Sequence, residues 1–301
     1  MSGTTLERRS APDFGEPVER VGVIGCGLMG SGIAEVAALA GCQVTVVASR
    51  PASADAGRDR VAASLARGVR KGRVTEDQRD AALRRLTFTT DLDDLRDRQI
   101  VVESIREHEP DKLELFGALD RIVKDPAAIL ATNTSSLPIS RLGRATTRPG
   151  QVIGTHFFSP VPAMPLVELI SSLDTEETVD EQARHFAEEV LGKQVIRAGD
   201  RSGFVVNALL IPYLLSAIRM VESGFAAAEV IDRGMVLGCS HPLGPLKLAD
   251  LVGLDTVADV ADALYQEFKE PLYAPPPLLL RMVETGRHGR KTGRGFYTYG
   301  T

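Results

Sequence analysis

"RVGVIGCGLMGSGIAEVAALAGCQVTVVASR", Arg20 to Arg50, decides the fold. "RVGVIG" is a short apolar run of strand type, "SGIAEVAALA" has helical character, and "QVTVVA" is a second apolar run. From Val21 to Val47 the only charge is Glu35, yet six glycines interrupt the stretch. Glycines and a change of period argue for a buried strand-turn-helix-strand, not for a membrane span.

The turn is "GCGLMG": Gly25, Cys26, Gly27, Leu28, Met29 and Gly30. Between a strand and a helix, the first glycine makes the tight turn. The second lets backbone approach a pyrophosphate, and the third lets helix pack on strand. The helix N-terminus offers free N–H groups and partial positive charge to phosphates. Glycines chosen only for close packing are the plainer alternative.

Outward from this unit, strand-type runs recur as "LTFTT", "QIVVES", "AILATN", "QVIGTH", "LVELI" and "KQVIRA", with helical stretches between most of them. Such alternation predicts an α/β fold with a doubly wound, mostly parallel sheet of Rossmann type. After "LGKQVIRAGDRSG" the pattern is helical to the end, starting with "GFVVNALLIPYLLSAIRMVESG" between Gly203 and Gly224. We expect a polar, disordered tail over 1–17, a dinucleotide-binding domain over 18–200 and an all-helical C-terminal domain over 201–301.

The 301 residues carry a net charge of −5 with no broad basic field, which disfavours nucleic acid and anionic membranes as partners. Cys26, Cys42 and Cys239 are too few and too scattered for a disulfide framework or a zinc site. A cytoplasmic location fits such cysteines, and no metal site is expected.

"GTHFFSPVPAMPLVELI" holds a second constellation. His156 closes a strand, and Glu168 sits inside an apolar one. A carboxylate there is costly unless paired. Glu168 accepting from one imidazole nitrogen would fix the tautomer and leave the other nitrogen as a base. An edge strand with Glu168 facing water is the alternative. Ser135 and Ser136 in "ATNTSSLPIS" lie at a strand's C-terminal end, where open α/β sheets bind ligands. They are either donors to a substrate or caps of the following helix. Asn207, in the first turns of an apolar helix, either faces the cleft between domains or fills a helix contact.

Together these pieces resemble the L-3-hydroxyacyl-CoA dehydrogenase family, of 3-hydroxybutyryl-CoA dehydrogenase type. The motifs are "VGVIGCGLMGSGIA", "VVESIRE", "TNTSSLPIS", "THFFSPVPAMPLVELI", "SGFVVNALL", "HPLGPLKLADLVGLDT" and "KTGRGFYTY". The resemblance implies NAD(P)-dependent, reversible oxidation of a short-chain 3-hydroxyacyl-CoA by a homodimer. It implies His156 as base, Glu168 as its partner, and Ser135 and Asn207 near the reacting oxygen or the thioester. Glu107, Lys112, Ser159 and Lys291 match cofactor contacts, with Lys112 also near substrate. Ser64 and Lys71 match contacts to coenzyme A. A carrier-protein-bound hydroxyacyl group and a sugar acid are alternative substrates. A nucleotide-binding protein without turnover is an alternative of another class.

Three departures stand out: "HFFSP" where the family has an asparagine at Ser159, "GFVVNA" where it has an arginine at Ala208, and Ala48 where it has an aspartate. An acid at that last position binds the adenosine ribose 2′-OH and repels a 2′-phosphate. With Ala48 followed by Ser49 and Arg50, a hydroxyl and a guanidinium replace it, a pair suited to phosphate. The expected cofactor is NADP or NAD, with NADP favoured.

Overall fold

The computed structural model describes residues 18–300; the tail expected over 1–17 lies outside them. All eight expected strands form one sheet in the order β3-β2-β1-β4-β5-β6-β7-β8. They are β1 (Arg20–Ile24), β2 (Gln43–Val47), β3 (Leu86–Thr89), β4 (Ile100–Glu103), β5 (Ile129–Thr132), β6 (Val152–Phe157), β7 (Leu166–Ser171) and β8 (Gln194–Gly199). All neighbours pair parallel except β6 and β7, which run antiparallel. The strand order reverses at β1, so a crevice opens beyond the C-terminal ends of β1 and β4.

The flanking helices follow from their sequences. In α1 (Leu28–Leu39) every residue from Gly30 to Ala38 is buried. The helix is enclosed on all sides, which is why its sequence carries only one charge. In α2 (Pro51–Arg70) the buried residues are Ala54, Gly57, Val61 and Leu65, the three- and four-residue spacing of one helical face. Burying a side chain such as Leu65 is worth about 1.5–3 kcal/mol. The next helix, α3 (Glu76–Arg84), opens on a reciprocal Thr75–Gln78 capping box. Two more helices, α4 (Glu109–Ile122) and α5 (Ile139–Gly143), lie on the strand connections, and α6 (Glu177–His185) precedes β8.

Beyond β8 come α7 (Val206–Glu222), α8 (Ala228–Cys239), α9 (Pro245–Val252), α10 (Leu254–Phe268) and α11 (Pro277–Glu284), around their own apolar core. The expectation of helix to the end fails at the last residues. After α11 the chain makes a 3-10 turn at Arg290–Thr292 and two isolated bridges, Gly289 to Arg294 and Arg294 to Thr298. The cause is two buried carboxylates. Asp250 accepts from Phe296 N, Tyr297 N and the Tyr299 hydroxyl, each at 3.0 Å. Asp232 accepts from Leu246 N, Lys247 N and the Tyr297 hydroxyl. A Cβ on Gly295 would lie 2.0 Å from Asp250 Oδ1, so only glycine lets the backbone close on that acid. Burial, then these bonds to carboxylates, push both phenols far above their ordinary range. "HPLGPLKLAD" and "GRGFYTY" are thus a structural clasp.

Candidate active site

The glycine turn has the geometry its sequence asks for. Gly25 has φ +95°, the left-handed region that favours glycine, and its N–H donates to Val47 O at 2.9 Å. A Cβ on Gly30 would sit 1.9 Å from the Gly25 carbonyl oxygen, whereas one on Gly27 would meet nothing within 4 Å. The first and third glycines are therefore forced by packing, and the second faces open space. That space is a cleft of ≈ 790 Å³, lined by Gly25, Cys26 and Gly27 on one side and by Ala48, Ser49 and Ser53 on another. Gly27 is the N-cap of α1 and supplies no side-chain cap, which leaves first-turn N–H groups for a ligand. Room for backbone approach and these donors fit a dinucleotide. Leu28 is exposed on the first turn, and Met29 packs against the core. The sequence did not flag Arg60, whose guanidinium donates to the Cys26 carbonyl at 2.5 Å and pins the turn from α2.

Ala48 is buried, and Ser49 and Arg50 beside it are exposed. Arg50 is the N-cap of α2, with its Nε 3.1 Å from Ser53 Oγ.

His156 and Glu168 are register partners across the antiparallel β6–β7 pair. Nδ1 lies 2.7 Å from Glu168 Oε2. Since β7 is flanked by β6 and β8 and Glu168 is 0% exposed, the edge-strand alternative falls. The other oxygen, Oε1, accepts from Val205 N at 3.1 Å and Val206 N at 2.9 Å, where α7 begins. A sharp turn makes this possible: Gly203 has φ +77° and Phe204 φ +48°. The left-handed Phe204 costs about 1–3 kcal/mol, offset where its neighbours meet the acid and its ring packs 5.5 Å from the imidazole. Phe158 packs on the imidazole at 4.6 Å.

With Nδ1–H donating to the carboxylate, Nε2 is left as an acceptor, 3.2 Å from Ser135 Oγ. The serines do not cap α5. Asp200 does, accepting from Ile139 N at 2.6 Å and Ser140 N at 2.8 Å. Behind Ser135 stands Glu107, which accepts from the Thr134 hydroxyl, from Ser135 N at 3.2 Å and from Ser136 Oγ at 3.3 Å. Burial opposes its charge, but Lys112 and these donors outweigh burial and hold the carboxyl below its ordinary range.

Lys112 is 1% exposed, with its ammonium 3.0 Å from Glu103 and 2.8 Å from Glu107. It is a buried cation directly behind Glu107. Glu103 itself was missed, although an acid in the apolar run "IVVES" is the same signal that exposed Glu168.

The remaining expected residues share no hydrogen bond with the His156 cluster. Asn207 is half-buried in the first turn of α7. Ser159 is exposed on the loop after β6. Lys291 is paired with Asp255 at 2.5 Å. Ser64 bonds the buried Glu35, and Lys71 is exposed at the C-cap of the same helix. Among the described residues no cluster of metal-ligating side chains occurs, and no helix is long and apolar enough to cross a membrane.

Comparison with known proteins gives two family matches. Residues 20–201 match the 3-hydroxyacyl-CoA dehydrogenase NAD binding domain, and residues 203–299 match the 3-hydroxyacyl-CoA dehydrogenase C-terminal domain. A 3-hydroxybutyryl-CoA dehydrogenase of Mycobacterium tuberculosis is 60% identical over 284 residues, 94% of this chain and 99% of that protein. The crystal structure of M. tuberculosis FadB2 superposes with a TM-score of 0.93 at 60% identity, covering 95% of this chain and 100% of that one. That of (S)-3-hydroxybutyryl-CoA dehydrogenase PaaH1 from Ralstonia eutropha gives 0.89 at 42%, with 95% and 100% covered.

Proposed function

The chain belongs to the 3-hydroxyacyl-CoA dehydrogenase family, and from that premise we propose that it oxidises a short-chain 3-hydroxyacyl-CoA, such as 3-hydroxybutyryl-CoA, reversibly to the 3-oxoacyl-CoA with a nicotinamide dinucleotide. The observation that carries this reading is the Glu168–His156–Ser135 chain of hydrogen bonds. An alcohol is a weak acid, so its C3–H bond cannot release hydride unless the hydroxyl proton leaves as well. Nε2 of His156 takes that proton, and Glu168 stabilises the imidazolium through Nδ1–H. Ser135 donates to the same oxygen, and Asn207 contacts that oxygen or the thioester. In the reverse direction the imidazolium returns the proton to the ketone oxygen. The nicotinamide, when bound, takes up or gives the hydride.

The glycine turn and the α1 N-terminus hold the pyrophosphate. Glu107, backed by Lys112, and Ser159 serve the nicotinamide end, Lys291 is a further cofactor contact, and Ser64 and Lys71 serve the coenzyme A arm. At the adenosine end we favour NADP. Ala48 has neither the acceptor that reads a ribose 2′-OH nor the charge that repels a phosphate, and exposed Ser49 and Arg50 offer donors to one. A homodimer in the cytosol completes the reading. Its support is the exposed apolar side chains of the helical domain, Leu209, Phe225 and Leu237 among them, and three free cysteines. Light scattering on the purified protein tests the dimer.

A matrix of both oxidised cofactors against 3-hydroxyacyl-CoA thioesters, a matched carrier-protein thioester and gulonate tests the function. Turnover confined to short acyl-CoA substrates is expected; turnover of gulonate alone contradicts it.

A further inference from the structure

Glu103, at the end of β4, is 0% exposed, so no water solvates its charge. Its oxygens are fully engaged. Oε1 accepts from Ile105 N at 2.7 Å, and Oε2 accepts from the Thr132 hydroxyl at 2.6 Å and meets Lys112 Nζ at 3.0 Å. An ion pair this deep is a poor source of stability, because desolvation offsets most of the attraction. Its use must lie in what it holds.

Its partners lead to the site. Lys112 spans Glu103 and Glu107. Glu107 is on the loop between β4 and α4 and has four donors around it, of which Lys112 is the only cation. The Thr134, Ser135 and Ser136 donors belong to the turn that Glu107 itself positions. Only Lys112 ties Glu107 to something rigid, the middle of the parallel sheet. We propose that Glu103 is a positioning residue for the reaction: through Lys112 it fixes Glu107 against the Ser135 turn and so sets the place of Ser135 Oγ beside His156. The inference rests on the function proposed above. It has a physical scale, because displacing a reacting-site group by about 1 Å can cost about a hundredfold in rate.

The test is a double-mutant cycle on the full chain. Glu103→Gln keeps the shape and the acceptor for Ile105 N while removing the charge that anchors Lys112. It is expected to lower kcat about tenfold or more, with KM for the thioester within about threefold. Ser135→Ala should then lower kcat much less in the Glu103→Gln background than in the wild type, because the serine is already misplaced. Strictly multiplicative losses, or a Glu103→Gln enzyme with wild-type kcat, would overturn the assignment and leave the proposed function standing. A wild type without turnover on any thioester would instead remove the function itself. If Glu103→Gln does not fold, Lys112→Gln, which cuts the same link at its other end, is put through the same cycle. Coupling to Ser135 supports the proposal, and additivity overturns it.

Discussion

His156 and Glu168 face each other in register across the β6–β7 pair, and one carboxylate serves two domains: Oε2 holds the imidazole at 2.7 Å while Oε1 accepts the Val205 and Val206 N–H groups where α7 starts. The acid that orients the proposed base is therefore also the seat of the helical domain. Any loosening between the domains acts on the imidazole directly.

Glu168 variants should separate these two duties. Glu168→Gln keeps an acceptor for the backbone but cannot stabilise an imidazolium, so kcat falls more than KM rises while the melting temperature changes little. Glu168→Ala also strands the Val205 and Val206 N–H groups and the buried imidazole, and should lose about 2–5 kcal/mol of stability. Denaturant titrations of both variants decide. Equal stability of the two would show that the α7 contacts do not depend on this side chain.

Cofactor choice should move with one residue. Ala48→Asp is expected to shift the ratio of kcat/KM toward NAD(H) at least tenfold, about 1.4 kcal/mol, and Arg50→Ala to weaken NADP(H) alone. A wild type that favours NADH tenfold, with Arg50→Ala silent toward NADPH, would reduce Ser49 and Arg50 to an ordinary strand end.

A pH signature comes from Glu35. Burial pushes its carboxyl above the ordinary value of 4.5, against the Ser64 hydroxyl and the Arg67 charge. The folded state therefore prefers the protonated acid. That contribution is whole below pH 4.5 and is lost as pH rises through the higher folded value. Glu35→Gln removes the titration. Thermal midpoints measured from about pH 4 to about pH 8 should fall less with rising pH in the variant than in the wild type. Parallel curves for the two proteins would refute it.

Asp200→Ala should cost about 1–2 kcal/mol through the lost cap of α5, and Asp200→Asn should recover part of it. Urea midpoints of the three proteins measure this; an unchanged midpoint in the alanine variant would show that the cap contributes nothing.

The parts of the fold that sequence discloses are the local ones. The glycine turn, the eight apolar runs and Glu168 each carry their reason within a few residues. Glu168 could be read because an acid inside "LVELI" is costly unless paired. Glu103 in "IVVES" poses the same question, and its answer, the ion pair with Lys112, lies on another element nine residues on. The remaining surprises come from distant partners. Whether Ser135 and Ser136 cap a helix is decided by Asp200, more than sixty residues on. The last residues look like more helix until Asp232 and Asp250 are seen to draw Phe296, Tyr297 and Tyr299 inward. No local pattern shows that Val205 and Val206 will dock on Glu168.

The role of Nε2 of His156 as the proton acceptor is tested most directly by comparing wild type and His156→Gln in two measurements, cofactor affinity by titration and turnover of 3-hydroxybutyryl-CoA with the preferred oxidised cofactor. Cofactor affinity should stay within about twofold while kcat falls at least about a hundredfold, the lower end of what a positioned base contributes. A His156→Gln protein that turns over at close to the wild-type rate would contradict the account.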